Sequence, residues 1–284
     1  MLSVREIKEI LRRERITISK RRGQNFLVDG EIRRRIIQAI DIKPEDEILE
    51  IGPGLGALTE DLAQAAAKVF AIEKDIGLAR ILGAKLFEYR NLNVITNDIL
   101  QVEFEKLTPG KLKVVGNLPY YITTPIIAYL LEKERSHVKD VFITVQYEVG
   151  KRIVAQKNSR DYASLSVFAQ YFTAARILFS IPKRAFYPQP KVDSVVMHLQ
   201  ILKQPAVAVK QQEQFFKIVR SCFNQRRKTI ANSLTQRLDK QDKLTVQQIL
   251  TQQGINLRAR AEDLSLQDFA DIERALSKKE GFRL

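Results

Sequence analysis

From about residue 48 to 155, short apolar runs alternate with stretches whose apolar positions fall at helical spacing. Ile48-Leu49-Glu50-Ile51, Val69-Phe70-Ala71-Ile72, Leu92-Asn93-Val94-Ile95, Leu112-Lys113-Val114-Val115 and Val141 to Val145 read as five strands. The patterns between them predict helices from Leu58 to Ala67, Asp75 to Phe87 and Pro125 to Leu131. Repeated β-α units lay their strands side by side in a parallel sheet with helices on both faces. Arg176 to Phe179 and Ser194 to Ile201 bracket a Pro-rich loop and are expected to add an antiparallel pair at one edge. After Pro205 Gln becomes frequent, β-branched runs stop and helical periodicity dominates, so a small helical domain is expected over 206–284. Met1 to Ile16 is charged and amphipathic, with Leu2, Ile7, Ile10 and Leu11 at roughly helical spacing.

Charge separates the parts further. The net charge of +14 is concentrated at the two ends: residues 1–40 carry 11 basic and 5 acidic side chains, residues 201–284 carry 16 and 9, and residues 41–200 are close to neutral with 20 and 19. A neutral body with basic flanks suits a catalytic core with arms for a polyanion, and nucleic acid is the expected partner. A single cysteine, Cys222, excludes disulfides within the chain, and with only His137 and His198 beside it a Cys/His zinc cluster is excluded too. The uncharged stretch Val114 to Leu131 is 18 residues long, but Asn117, Pro119, Thr123, Thr124 and Pro125 make it a poor membrane span. Without an apolar secretory core at its start, the chain is expected to be soluble and cytoplasmic.

The candidate chemistry sits at the carboxyl ends of the expected strands, where open α/β sheets bind ligands. The first strand runs into Gly52-Pro53-Gly54-Leu55-Gly56-Ala57, whose glycines let the backbone approach a ligand closely. Glu73 ends the second strand, 21 residues after Gly52, where a carboxylate can accept from both hydroxyls of a ribose. Asp98, after the third strand, can accept from an adenine amine. The loop alone leaves NAD and S-adenosylmethionine both open. The fourth strand ends in Asn117-Leu118-Pro119-Tyr120: an amide side chain, a carbonyl made rigid by proline and an aromatic ring. That trio suits a flat base with an exocyclic amine and favours methyl transfer over hydride transfer. The His-x-Glu and Cys-x-x-Cys ligands of a zinc-dependent adenine deaminase are absent.

With these elements in place, the sequence resembles the ribosomal RNA adenine dimethyltransferases, and within them the small-subunit adenine-N6,N6-dimethyltransferases. The resemblance runs from Arg21-Arg22-Gly23-Gln24-Asn25-Phe26-Leu27 onward. It includes Gln146-Tyr147-Glu148-Val149, Phe186-Tyr187-Pro188-Gln189-Pro190-Lys191-Val192-Asp193-Ser194 and Phe223-Asn224-Gln225-Arg226-Arg227-Lys228. It implies a Rossmann-like class I methyltransferase sheet, mostly parallel with an antiparallel edge, plus a small C-terminal helical domain. The expected division is an extension over 1–18, a methyltransferase domain over 19–205 and an RNA-binding helical domain over 206–284. It implies S-adenosylmethionine as donor, held by Asn25, Leu27, Gly52, Gly54, Glu73, Asp98 and Asn117, and two adjacent adenosines near the 3′ end of small-subunit rRNA as acceptors, each dimethylated. Small-subunit rRNA or an immature small subunit would be the partner, met by a monomer, and a role in subunit biogenesis follows. Arg21, Arg22, Arg226, Arg227 and Lys228 are the candidate RNA contacts. The segment Tyr162-Ala163-Ser164-Leu165 departs from the family, in which Gly-Arg usually separates the Tyr from the Leu.

For the reaction, an extruded adenine is expected to stack between Tyr120 and Phe186 while the Asn117 side-chain oxygen and the Leu118 or Pro119 carbonyl accept its two N6 protons. Two alternatives share this fold. One is an erythromycin-resistance-type methylase of large-subunit rRNA. The other is a non-catalytic nucleic-acid-binding or ribosome-assembly factor, in which the cofactor residues would be degraded.

Overall fold

The computed structural model describes residues 1–17, 24–225, 227–235 and 240–278. They form two compact units, residues 1–150 with 176–201 and residues 151–175 with 202–284.

The first unit begins with α1 (Val4–Arg13), a two-residue strand β1 (Phe26–Leu27) and α2 (Gly30–Ile40). Four strands and three helices follow: β2 (Glu47–Ile51), α3 (Thr59–Ala65), β3 (Lys68–Glu73), α4 (Ile76–Lys85), β4 (Leu92–Thr96), β5 (Leu112–Asn117) and α5 (Thr123–Ala128), with only short 3-10 turns between β4 and β5. The unit closes with β6 (Val138–Gln146) and with α6 (Tyr147–Val154), which runs on past its boundary. The central strands are apolar on both faces because helices cover both: Ile48, Leu49, Val69, Val114, Val141 and Ile143 are fully buried. Asp75 caps α4 by accepting from the Gly77 and Leu78 amides, so that helix starts where the sequence places it.

The chain then forms α7 (Ser164–Phe172), β7 (Thr173–Ile181), β8 (Phe186–Tyr187) and β9 (Ser194–Ile201). The seven-stranded sheet has the order β4-β3-β2-β5-β6-β9-β7, with β2 to β6 parallel and β9 antiparallel to β6. The strand at 194–201 is therefore an interior strand, and β7 forms the edge. Its composition explains this: residues Ser194 to Leu199 are buried on both faces, which an edge strand does not require. The short strands β1 and β8 pair separately, Phe26 opposite Tyr187 and Leu27 opposite Phe186.

Two close approaches fix the strands that carry the site. A Cβ on Gly116 would lie 2.8 Å from the Ile51 carbonyl oxygen, so only glycine lets β5 lie against β2 there. At the other end of β5, the buried Lys113 ammonium donates to the Asp46 carboxylate at 2.6 Å and to the Asp41 carbonyl at 2.9 Å. These bonds offset the cost of burying its charge.

The second unit contains α8 (Gln212–Phe223), α9 (Ile230–Thr235), α10 (Lys240–Gln252) and α11 (Leu266–Leu276). Its membership differs from the expected boundary at 205 and 206, because residues 151–175 belong with it. The reason is aromatic packing. Phe168, Tyr171 and Phe172 on α7 meet Phe215 and Phe216 on α8, with Tyr171 and Phe215 centroids 5.1 Å apart and Phe168 and Phe216 centroids 5.2 Å apart. The fully buried Glu273 carboxylate accepts from the Lys210 and Gln211 amides at 2.8 and 3.0 Å, fixing the approach to α8.

Candidate active site

The glycine loop leaves β2 with Gly52 at φ +66° and Gly54 at φ +57°, backbone that side chains other than glycine's rarely adopt. A Cβ on Gly54 would also press to 3.2 Å of the Phe26 ring. One carboxylate ties this loop to the end of β3: Glu73 Oε2 accepts from the Gly54 amide at 3.0 Å and Oε1 from the Asp75 amide at 2.9 Å. Burial raises the Glu73 pKa, and the two amide bonds offset part of that rise. The carboxylate keeps acceptor capacity for a further donor, such as a hydroxyl.

Asp98 follows β4 and is bound up locally. Its carboxylate accepts from Lys74 Nζ at 2.6 Å and from the Leu100 amide at 3.1 Å. Burial alone would raise its pKa, but these donors outweigh it and hold the carboxyl below its usual range. Asp98 is not among the residues that line the cleft above the glycine loop, whereas Asn25, Leu27, Gly52, Gly54, Glu73 and Asn117 all are.

Asn117 is the last residue of β5, and its Nδ2 donates to the Asn25 carbonyl at 2.8 Å. With the nitrogen so committed, Oδ1 is the free end of the amide. The Leu118 amide donates to the Thr144 carbonyl on β6 at 3.1 Å and its side chain is buried, which fixes the turn. The Pro119 carbonyl already accepts twice, from Thr123 Oγ1 and from the Ile122 amide, both at 3.1 Å. With both its lone pairs in use, Leu118 is the better of the two expected carbonyl acceptors. The Tyr120 hydroxyl is hydrogen-bonded to Ser194 Oγ at 2.7 Å, and Tyr120 does not line the cleft. Phe186 does line it but is only 3% exposed, its ring packed in the core with Leu27, Val115 and Ala185.

Two cleft residues escape the reading of the sequence. Tyr121 is 51% exposed and lines the cleft beside Pro119. Glu50 also lines it, on β2 and 3% exposed, and its Oε2 has no hydrogen-bond partner. Burial pushes its pKa up to about 7; the Thr59 hydroxyl beside it offsets part of the rise and the Glu73 and Asp61 charges add to it. A glutamate inside the run Ile48-Leu49-Glu50-Ile51 was the available signal, since a buried strand holds an acid only where something answers it.

In the second unit Arg227 shares a cleft with Arg160, Arg260 and Asn158, beside Glu262 and Asp263. Lys228 is exposed and lies outside that lining. Arg21, Arg22 and Arg226 lie outside the described residues. Among the described residues no group of His, Cys, Asp and Glu could hold a metal ion, and no helix is long and apolar enough to cross a membrane.

Comparison with known proteins adds the following. The family model described as ribosomal RNA adenine dimethylase matches residues 16–278. Ribosomal RNA small subunit methyltransferase A of Moorella thermoacetica is 42% identical over 277 residues, covering 94% of this chain and 95% of that protein. The protein of the same name from Geobacillus kaustophilus is 41% identical over 278 residues, covering 95% and 94%. Among solved structures, a dimethyladenosine transferase from Plasmodium falciparum superposes with TM-score 0.76 at 25% identity, covering 89% of this chain and 98% of that one. The 23S rRNA methyltransferase ErmE superposes with TM-score 0.68 at 27% identity, covering 89% and 100%.

Proposed function

Because the chain belongs to the ribosomal RNA adenine dimethylase family, we propose that the cleft over the glycine loop is where it carries out that family's reaction. The protein is an S-adenosylmethionine-dependent methyltransferase that dimethylates adenines of small-subunit ribosomal RNA. In our reading the acceptors are the N6 atoms of two adjacent adenosines near the 3′ end, presented by an immature small subunit to a cytoplasmic monomer.

The cleft fits the donor. Glu73 keeps acceptor capacity for the ribose hydroxyls, Gly52 and Gly54 open the backbone, and the partnerless Glu50 oxygen suits the ammonium of an amino-acid end. Asn25, Leu27 and Asn117 line the same cleft, and Asp98, just past β4 and outside that lining, is read as the acceptor for the adenine amine through the lone pairs that Lys74 and the Leu100 amide leave. When bound, the donor supplies a methyl group activated by a sulfonium. The work of the chain is then positional. Asn117 Oδ1 and the Leu118 carbonyl accept the two N6 protons, which turns the nitrogen lone pair out of conjugation and toward the cleft. No strong base is needed, since the proton can leave to water after the new bond forms. Phe186 bounds the cleft from the core side, and Tyr120 holds the corner through Ser194. In the second unit, Arg227, with Arg160 and Arg260 beside it, and Lys228 are the RNA contacts of this reading.

The observation that carries it is the Asn117–Asn25 hydrogen bond, which turns a side-chain oxygen out at the carboxyl end of β5. The test offers labelled S-adenosylmethionine to unmethylated small subunits and to large-subunit rRNA, then maps the labelled bases. Label on an adjacent pair of small-subunit adenosines is expected. Label confined to large-subunit rRNA, as the name of ErmE would suggest, overturns the acceptor assignment.

A further inference from the structure

We propose that the amphipathic helix α1 is a positioning element of the donor site, holding the Asn25-Phe26-Leu27 segment against the donor. This rests on the reading that the cleft over the glycine loop binds the donor. The helix precedes the residues that match the family model.

Its placement is specific at both ends. Ser3 and Glu6 form a capping box at its start. Past its end, Glu14 accepts from Arg80 on α4 at 2.9 Å, and the Ile16 side chain fills the space over Gly77, where a Cβ would meet it at 2.8 Å. Between these anchors one face is buried: Ile7 is 1% and Leu11 6% exposed. They pack with Phe26, Leu55 and Leu78 in a cluster that is distinct from the one under the sheet. Lys8 lies 5.5 Å over the ring of Tyr187, the strand partner of Phe26.

Those contacts lead directly to the site. Phe26 lies against Gly54, whose amide is bound by Glu73, and its neighbour Asn25 receives the Asn117 side chain. Met1, Leu2 and Ile7 themselves line the cleft. The core under the sheet is a cluster separate from the one α1 joins. The helix presses the segment with Asn25 and Leu27 onto the glycine loop and so makes donor affinity depend on apolar packing outside the family's motifs.

The test measures donor affinity, kcat and thermal unfolding in the full-length protein. Ile7→Ala with Leu11→Ala should raise the dissociation constant of S-adenosylhomocysteine and the KM of S-adenosylmethionine by about tenfold or more. kcat at saturating donor should change less than about threefold, and the main unfolding transition without donor should stay in place. Glu9→Ala, on the exposed face, should change nothing. Ile7→Val, a one-methylene change, keeps the idea testable if the double variant misfolds: a measurable rise in donor KM at unchanged melting temperature is expected. Donor affinity unchanged in both variants overturns the proposal, and so does a loss of thermal stability without a change in affinity. Glu73→Ala serves as the reference for the site itself. If it too leaves donor affinity intact, the cleft assignment is what has failed; if it abolishes binding while the α1 variants bind normally, only the role of α1 has failed.

Discussion

The side-chain amide of Asn117 donates to the main-chain carbonyl of Asn25 across 2.8 Å and 92 residues of sequence. That single bond joins the corner assigned to the acceptor base to the segment assigned to the donor, so the two halves of the site are held in one frame.

Asn117→Ala should therefore lower single-turnover methyl transfer by at least about a hundredfold, the scale of losing one oriented polar group at a reacting centre. Donor affinity should fall only modestly, because Glu73 and the glycine loop remain. Quench-flow with labelled donor and a binding titration on the same variant separate the two effects. Transfer at the normal rate would remove Asn117 from the proposed role.

Gly54→Val should cost donor binding more than stability. The left-handed backbone at φ +57° adds roughly 1–2 kcal/mol of strain for any side chain, and the new Cβ meets the Phe26 ring at 3.2 Å. The sheet is untouched, so calorimetric titration should show donor binding weakened or lost in a protein that still unfolds cooperatively.

Glu50 gives the donor-free protein a pH dependence with a definite sign. Its carboxyl is raised by burial to about 7, so the folded state prefers the proton. Its contribution to stability is full below the ordinary glutamate range and is lost as pH rises through about 7, by at most about 3 kcal/mol. Denaturant titrations from pH 4.5 to 8 should show the stability of the wild-type protein relative to Glu50→Gln falling across that window and then levelling. A flat difference would mean the carboxylate is answered by a partner at all pH values.

Tyr121 displays a half-exposed ring at the cleft while the hydroxyl of Tyr120 is tied to Ser194. Tyr121→Ala should raise the KM for ribosomal subunits by about tenfold, in keeping with roughly 1–3 kcal/mol for a base stacked on an aromatic ring. Tyr121→Phe should restore it, since stacking needs the ring and not the hydroxyl. Donor KM should stay unchanged in both.

Reversing Arg227 and Arg260 to glutamate should weaken subunit binding and flatten its dependence on salt. Filter binding between 50 and 200 mM salt, on the order of the range over which phosphate contacts are lost, reads the slope. An unchanged slope would place this cleft off the path of the RNA.

What could be read from the chain alone follows from what is local. The strands through Ile48, Val69, Leu92, Val114 and Val141 announce themselves by β-branched runs, and Gly52 and Gly54 by a backbone that only glycine tolerates freely. What could not be read depends on distant partners. Of two adjacent tyrosines, which ring meets the cleft is set by Ser194, 74 residues away. That the Pro119 carbonyl is already taken follows from the turn closed by Ile122 and Thr123. The segment 151–175 joins the helical unit because its aromatic rings find Phe215 and Phe216, a pairing that no local pattern encodes.

The contact of Gly116 with the Ile51 carbonyl has a wider consequence. It sets the gap between the glycine loop after β2 and the turn after β5 through the close pairing of the two strands, with the Ile51 and Leu118 side chains filling the space that a Cβ would need. Rim residues such as Tyr121 can then drift and retune which RNA is welcomed, while the stroke length of the transfer stays as the neighbouring strands dictate.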